Sequence, residues 1–268
     1  MLKDITLGQY FPGNSIAHKL DPRTKILLVT LYIIALFSAK GWMGYAVMAV
    51  TLAACVKVSH VGLRALVRGL KPLVFIIAFT GILNIFFTPD THYLWEWGIL
   101  RVSVKGIENA LFMVIRIMLL VMGTFLMTYT TSPIRLTDGL ESLLNPLKKI
   151  HVPVHELAMM MAIALRFIPT LIEETDKIMS AQKARGADFE SGSLFKKAKA
   201  LVPILVPLFI SAFRRADELA TAMECRCYHG GEGRTKLHVL KYQRRDYVAL
   251  AGGVVILALV VGLRRLGT

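Results

Sequence analysis

The chain has 268 residues, of which 55% are hydrophobic and 19% charged, and its mean hydropathy is +0.56. An ordinary soluble domain carries roughly 45–50% apolar and about 25% charged residues. With 32 Lys and Arg against 18 Asp and Glu, a formal +14, the composition describes a membrane protein with basic cytoplasmic loops and excludes a collagen, a disordered chain and, with three Cys, a disulfide scaffold.

Residues 1–25 hold Lys3, Asp4, Lys19, Asp21, Arg23 and Lys25 with no apolar core of a signal peptide. They are expected to form a cytoplasmic N-terminal segment. Five apolar runs follow at positions suited to membrane-spanning helices, which need about 17–25 residues. They cover 26–39, 41–56, 72–89, 109–134 and 247–263. Lys40-Gly41 predicts a tight turn between the first two. Thr88-Pro89-Asp90 ends the third, Arg116 interrupts the fourth, and Arg244-Arg245-Asp246 and Arg264-Arg265 frame the fifth.

The basic loops set an orientation. Four Lys/Arg lie in 1–25, four in 57–71 without an acid, and eighteen in 135–245. The 90–108 loop has Arg101 and Lys105 beside Asp90, Glu96 and Glu108. The positive-inside rule then places the N-terminus in the cytoplasm of a multi-pass protein of the cell membrane. Trp95 and Trp97 suit an outer interfacial belt. The organisation expected is 1–25 cytoplasmic, 26–130 holding four spans, 131–245 cytoplasmic, and 246–268 holding the fifth span and the C-terminus.

Within 131–245, three helices are expected. Thr131-Ser132-Pro133 starts the first, with Leu136, Leu140, Leu143, Leu144 and Leu147 at helical spacing. The second runs from Val154 to Arg185, with Leu165, Ile168, Ile172 and Met179 near one face. The third runs from Leu194 to Cys227, with Leu201, Leu205, Leu208, Ala212, Ala216, Leu219 and Met223 as its stripe. The apolar stretches 157–165 and 200–213 are short for spans; a hairpin of two extra spans is the competing reading. The fold class is therefore all-α: a polytopic membrane protein with five transmembrane helices and a cytoplasmic arm of about three coupling helices.

Catalytic signatures are absent. Gly230-Gly231-Glu232-Gly233-Arg234-Thr235-Lys236 lacks the Gly-Lys-Ser/Thr triplet of a phosphate-binding loop, and neither HExxH nor GxSxG occurs. Cys225, Cys227 and His229 make an incomplete zinc set, so no metal, cofactor or catalytic residue is expected. Arg116, an intramembrane cation, either snorkels to the outer interface or pairs within the bundle, with Glu108 or Asn84 as candidate partners. Two helix ends each carry one Arg: Ala184-Arg185-Gly186 and Cys225-Arg226-Cys227. An Arg in a last turn complements the helix dipole. Two such ends also suit docking into acidic grooves, because guanidinium stays charged and binds carboxylates bidentately.

With Leu20-Asp21-Pro22-Arg23-Thr24-Lys25, Thr131-Ser132-Pro133, Leu165-Arg166-Phe167-Ile168-Pro169, Gln182 to Phe189, and Phe213 to Ala220, the sequence resembles the T component of energy-coupling-factor transporters. The likeness covers nearly the whole chain and is closest to the shared, multi-substrate T components. It implies a non-catalytic scaffold of an ATP-driven vitamin or micronutrient importer, joining two ATP-binding-cassette ATPases to a substrate-binding S component in the bilayer. It also implies that the S component topples in the membrane to release its cargo. In that family two Ala-Arg-Gly motifs dock the ATPases. Ala184-Arg185-Gly186 matches the first. Cys225-Arg226-Cys227 departs from the second on both flanks, and Cys227 replaces a Gly that tolerates positive φ. The alternative is a self-sufficient secondary transporter or membrane enzyme. Nucleic-acid binding is not expected, since topology accounts for the basic charge.

Overall fold

A computed structural model of the chain describes residues 10–88, 93–97, 100–187, 189, 193–231 and 239–265. These divide into two compact units, one built from residues 10–140 and 240–265, the other from residues 141–239.

In the first unit, a short helix α1 (Ile16–Lys19) precedes α2 (Pro22–Ser38). Asp21 starts α2 because its carboxylate accepts from the Arg23 N–H and Pro22 brings a helical φ without an N–H to satisfy. The predicted turn is present, with Gly41 at φ 65 leading into α3 (Gly41–Ser59). The 57–71 segment, expected as a basic loop, contains α4 (Leu63–Leu70), which continues through one 3-10 turn (Lys71–Leu73) into α5 (Val74–Phe87). The helix extends upstream of the predicted span because Leu66 and Leu70 bury one face while Arg64 and Arg68 stay exposed. The 90–108 loop contains an antiparallel hairpin, β1 (Tyr93–Trp97) and β2 (Leu100–Ser103), unforeseen in an all-helical reading. Trp95 and Trp97 lie in β1. Ser103 then caps α6 (Val104–Thr130) by accepting from Gly106 N–H at 2.9 Å. The last helix of this unit is α10 (Arg244–Arg265).

Helices α2, α3, α4, α6 and α10 share one core of Ala35, Leu36, Met48, Leu52, Leu66, Leu119, Tyr129 and Val260. Two glycines let α6 neighbours approach: a Cβ on Gly123 would collide with the Tyr32 ring, and one on Gly69 with the Phe125 ring. The surface outside this core is largely apolar, including Phe37, Val50, Phe75, Phe79 and Val255. Water does not tolerate such a surface over this many helices, whereas lipid does.

Among the described residues, five helices are long and apolar enough to cross a membrane: α3, α4–α5 taken together, α6, α8 (Val154–Ala184) and α10. The number matches the sequence expectation and the membership differs in one place. Helix α2 has 17 residues and falls below the others in length. Helix α8 qualifies because its first half is apolar and only Arg166 and Glu156 interrupt it.

A polar junction joins the start of α2 to the end of α6 and the start of α10. Asp246, 1% exposed, accepts from the Asp21 N–H (2.9 Å) and from the Gln243 N–H (2.7 Å). Arg23 pairs with Asp21 through two nitrogens at 3.1 and 3.0 Å and stacks on the Tyr242 ring at 4.1 Å. Lys25, one residue before the apolar run of α2, donates to the Thr130 carbonyl and the Thr131 hydroxyl.

The end of α7 (Pro133–Leu144) reaches the second unit, which continues through a 3-10 segment (Asn145–Ile150) to α8 and α9 (Leu194–Glu224). His155 of α8 meets Glu141 of α7 at 3.1 Å. The predicted α8 stripe of Leu165, Ile168, Ile172 and Met179 is half-buried. The predicted α9 stripe holds in part. Leu208, Ala212, Leu219 and Met223 are partly covered, Leu201, Leu205 and Ala216 are exposed, and Ile204, Ser211 and Arg215 join the covered face. The reason is polar: the α9 face includes Ser211 and Arg215, which meet Glu174 of α8.

Candidate functional site

Both Arg-bearing ends lie in the second unit, and their backbones close in the same way. At the end of α8, the Gly186 N–H donates to the Lys183 carbonyl (3.0 Å) and the Ala187 N–H to the Gln182 carbonyl (3.0 Å). Gly186 has φ 89. This is a Schellman closure, with Arg185 at the last half-helical position and Gly186 in the left-handed position after it. At the end of α9, the Cys227 N–H donates to the Glu224 carbonyl (2.8 Å) and the Tyr228 N–H to the Met223 carbonyl (3.0 Å). Cys227 has φ 54. Arg226 therefore occupies the same capping position as Arg185, and Cys227 adopts the left-handed backbone that Gly186 provides in the first motif. The substitution leaves the turn intact and adds strain, since a Cβ disfavours that region.

Ala184, Arg185, Gly186, Cys225, Arg226 and Cys227 are all exposed. Among the described residues, neither the Arg185 nor the Arg226 guanidinium has a hydrogen-bond or ion-pair partner. The Cys227 carbonyl accepts from His229 Nδ1 at 2.8 Å, which orients the imidazole against its own turn. Among the described residues, no three His, Cys, Asp or Glu side chains cluster to hold a metal ion. Residues 232–236 of the glycine-rich stretch after Gly231 lie outside the described residues.

One pair escaped the sequence reading. Arg215 Nη2 of α9 donates to Glu174 Oε2 of α8 at 3.0 Å, with both side chains partly shielded. Ser211 also hydrogen-bonds the Glu174 carboxyl. The two residues are 41 apart, the same separation as Arg185 and Arg226. The register repeats at a third position: Ser180 donates to the Asp176 carbonyl and Thr221 to the Asp217 carbonyl, again 41 apart. This periodicity was available in the sequence as Asp-x-x-x-Ser/Thr followed five residues later by Arg. The two helices meet at Glu174–Arg215, and each continues from that pair to an Arg-capped end.

Arg116 lies within α6. Its Nε donates to the Tyr45 hydroxyl at 2.9 Å, and its guanidinium lies 5.7 Å from both the Phe37 and the Tyr45 ring centroids. The partner is an aromatic hydroxyl, not Glu108 or Asn84; Asn84 instead donates to the Thr80 carbonyl. Aromatic faces and one hydroxyl accommodate a cation among apolar helices without a carboxylate.

The fold defines a multi-pass helical membrane protein, and the comparisons specify which kind. The family model described as the cobalt transport protein CbiQ matches residues 13–237. The energy-coupling factor transporter transmembrane protein EcfT of Ruminiclostridium cellulolyticum is 52% identical over 97% of both chains. The protein of that name from Clostridium kluyveri is 55% identical over 97% of both, and that of Bacillus subtilis 47% identical over 98% of this chain and 100% of its own. The chain belongs to this family of transporter transmembrane proteins.

Proposed function

We propose that the chain is the T component of an energy-coupling factor importer for a vitamin or micronutrient: a non-catalytic subunit that joins two cytoplasmic ATPases to a substrate-binding membrane subunit. The observation that carries this reading is the pair of equivalent helix ends. Each presents one exposed Arg on a hydrogen-bonded turn, eleven residues beyond a member of the Glu174–Arg215 pair. Solvent-facing guanidinium groups suit acidic grooves on two like partners. Closure of the ATPases on ATP then moves the ends of α8 and α9. The helices carry that motion to their apolar stretches, where the substrate-binding subunit leans.

The segment 131–245 is the cytoplasmic coupling region, and α2, α3, α4–α5, α6 and α10 cross the cell membrane. That set gives a cytoplasmic N-terminus and an external C-terminus. The 17 residues of α2 extend about 26 Å, close to the roughly 30 Å hydrocarbon layer. Arg116 is an intramembrane residue that ties α6 to α3 through Tyr45.

The test is co-purification of the ATPases with the full chain expressed in its native host. Removal of an Arg from an acidic groove leaves a buried carboxylate unpaired, at about 2–5 kcal/mol per site. The Arg185→Ala/Arg226→Ala double variant is expected to reach the membrane, keep the substrate-binding subunit and lose both ATPases. Arg→Lys at both positions is expected to rescue poorly, because Lys lacks the planar fork. Normal ATPase recovery with the double Ala variant reduces both residues to helix caps.

A further inference from the structure

Helices α4 and α5 carry one continuous outward stripe whose character changes along its length. Arg64, Arg68 and Lys71 stand at helical spacing, and the same line continues through Phe75, Phe79 and Ile82. All six are exposed. The Phe75 and Phe79 rings stack with centroids 6.4 Å apart. The opposite face is committed to α6. Leu66 is 0% and Leu70 7% exposed, Gly69 lies under Phe125, Gly81 faces Val114, and the Tyr129 hydroxyl donates to the Ala65 carbonyl at 3.4 Å. The stripe therefore has no partner within this unit, and it is held on a rigid helix.

Depth and charge select the occupant. Val74–Phe87 contains no charged residue, so it belongs to the hydrocarbon layer. Arg64 to Lys71 extends about 10 Å along the helix, comparable with the roughly 5–8 Å headgroup layer on each side of a bilayer. Lys57, at the end of the neighbouring α3, adds a fourth cation at the same end of the bundle. Among the described residues, no carboxylate pairs with any of the four. Three cations at headgroup depth above an apolar rail match one molecule: a phospholipid with a negatively charged headgroup and an extended acyl chain.

We infer that the α4–α5 stripe is a binding site for an anionic phospholipid, with Arg64, Arg68 and Lys71 on the headgroup phosphate and Phe75, Phe79 and Ile82 along an acyl chain. The site fastens the α4 end of the span to the leaflet. The recognition is electrostatic, so it depends on charge and not on guanidinium shape.

The test uses the full chain in nanodiscs of phosphatidylcholine and phosphatidylglycerol, with retained lipids counted by native mass spectrometry. Wild type is expected to retain phosphatidylglycerol over phosphatidylcholine. Each cation near an anionic surface contributes about fivefold in affinity, so Arg64→Gln/Arg68→Gln/Lys71→Gln is expected to lower retention by well over tenfold. Arg64→Lys/Arg68→Lys is expected to retain it, as is Lys196→Gln/Lys199→Gln, which removes charge from the start of α9. Equal retention by the triple Gln variant overturns the site. So does an equal loss in the α9 variant, which means diffuse charge alone. Loss of a co-purifying protein with lipid retention unchanged assigns the stripe to a protein partner and also overturns it. Should the triple variant not fold, Phe75→Trp reports instead: its fluorescence, after subtraction of the wild-type signal, is expected to be quenched more by brominated phosphatidylglycerol than by brominated phosphatidylcholine. Equal quenching rejects the inference.

Discussion

Arg215 of α9 donates to Glu174 of α8 at 3.0 Å, and each of the two residues stands eleven positions before the Arg that ends its own helix. Eleven residues make about three helical turns and about 16 Å. Each capping Arg therefore lies on the same helix face as the paired residue behind it.

The pair itself is expected to contribute modestly to stability. Its side chains are 39% and 23% exposed, so solvent screening limits the coupling to about 0.5–1 kcal/mol. A double-mutant cycle with Glu174→Gln and Arg215→Gln, followed by detergent unfolding, measures it. The larger expected effect is on transport. Either single change is expected to loosen this contact and to lower uptake more than it lowers stability, and the swap Glu174→Arg/Arg215→Glu is expected to recover part of the uptake. Unchanged uptake in both single variants removes the pair from the mechanism.

The two Schellman turns predict opposite responses to small substitutions. Cys227→Gly relieves a left-handed non-glycine residue at φ 54 and is expected to stabilise the end of α9 by about 1 kcal/mol. Gly186→Ala introduces the same strain at φ 89 and is expected to destabilise the end of α8 by about 1–2 kcal/mol. Hydrogen exchange of the amides following each helix reads the two ends separately. Equal protection in Cys227→Gly and wild type contradicts the strain.

The proposed set of spans makes an accessibility pattern. In intact cells, an impermeant thiol reagent is expected to reach a Cys placed at position 93 or 267 and not one at 140 or 190. If α8 spans the membrane in place of α2, position 140 becomes reachable or 267 is protected.

The hydrophobic runs and their basic flanks located most helices from composition alone, because a spanning helix must bury about 20 consecutive residues in lipid and its backbone must satisfy itself. Proline and glycine did the same for helix ends: Pro22 and Pro133 open α2 and α7, and Gly186 closes α8. Those are local rules, read within a few residues. The helical α4 needed its partner, since an eight-residue basic segment is marginal until Leu66 and Leu70 find α6. The polar part of the covered α9 face depended on Glu174, a residue 41 positions away from the Arg that meets it. Arg116 was visible as a misplaced charge, but only packing chose Tyr45 over the nearby acid and amide. Cys227 likewise required the folded turn, because hydrogen bonds from Cys227 and Tyr228 back into α9 hold a backbone that the side chain by itself disfavours. Periodicity sets which residues form a helix; contacts between segments distant in the chain decide which of its faces is used and which polar groups meet there.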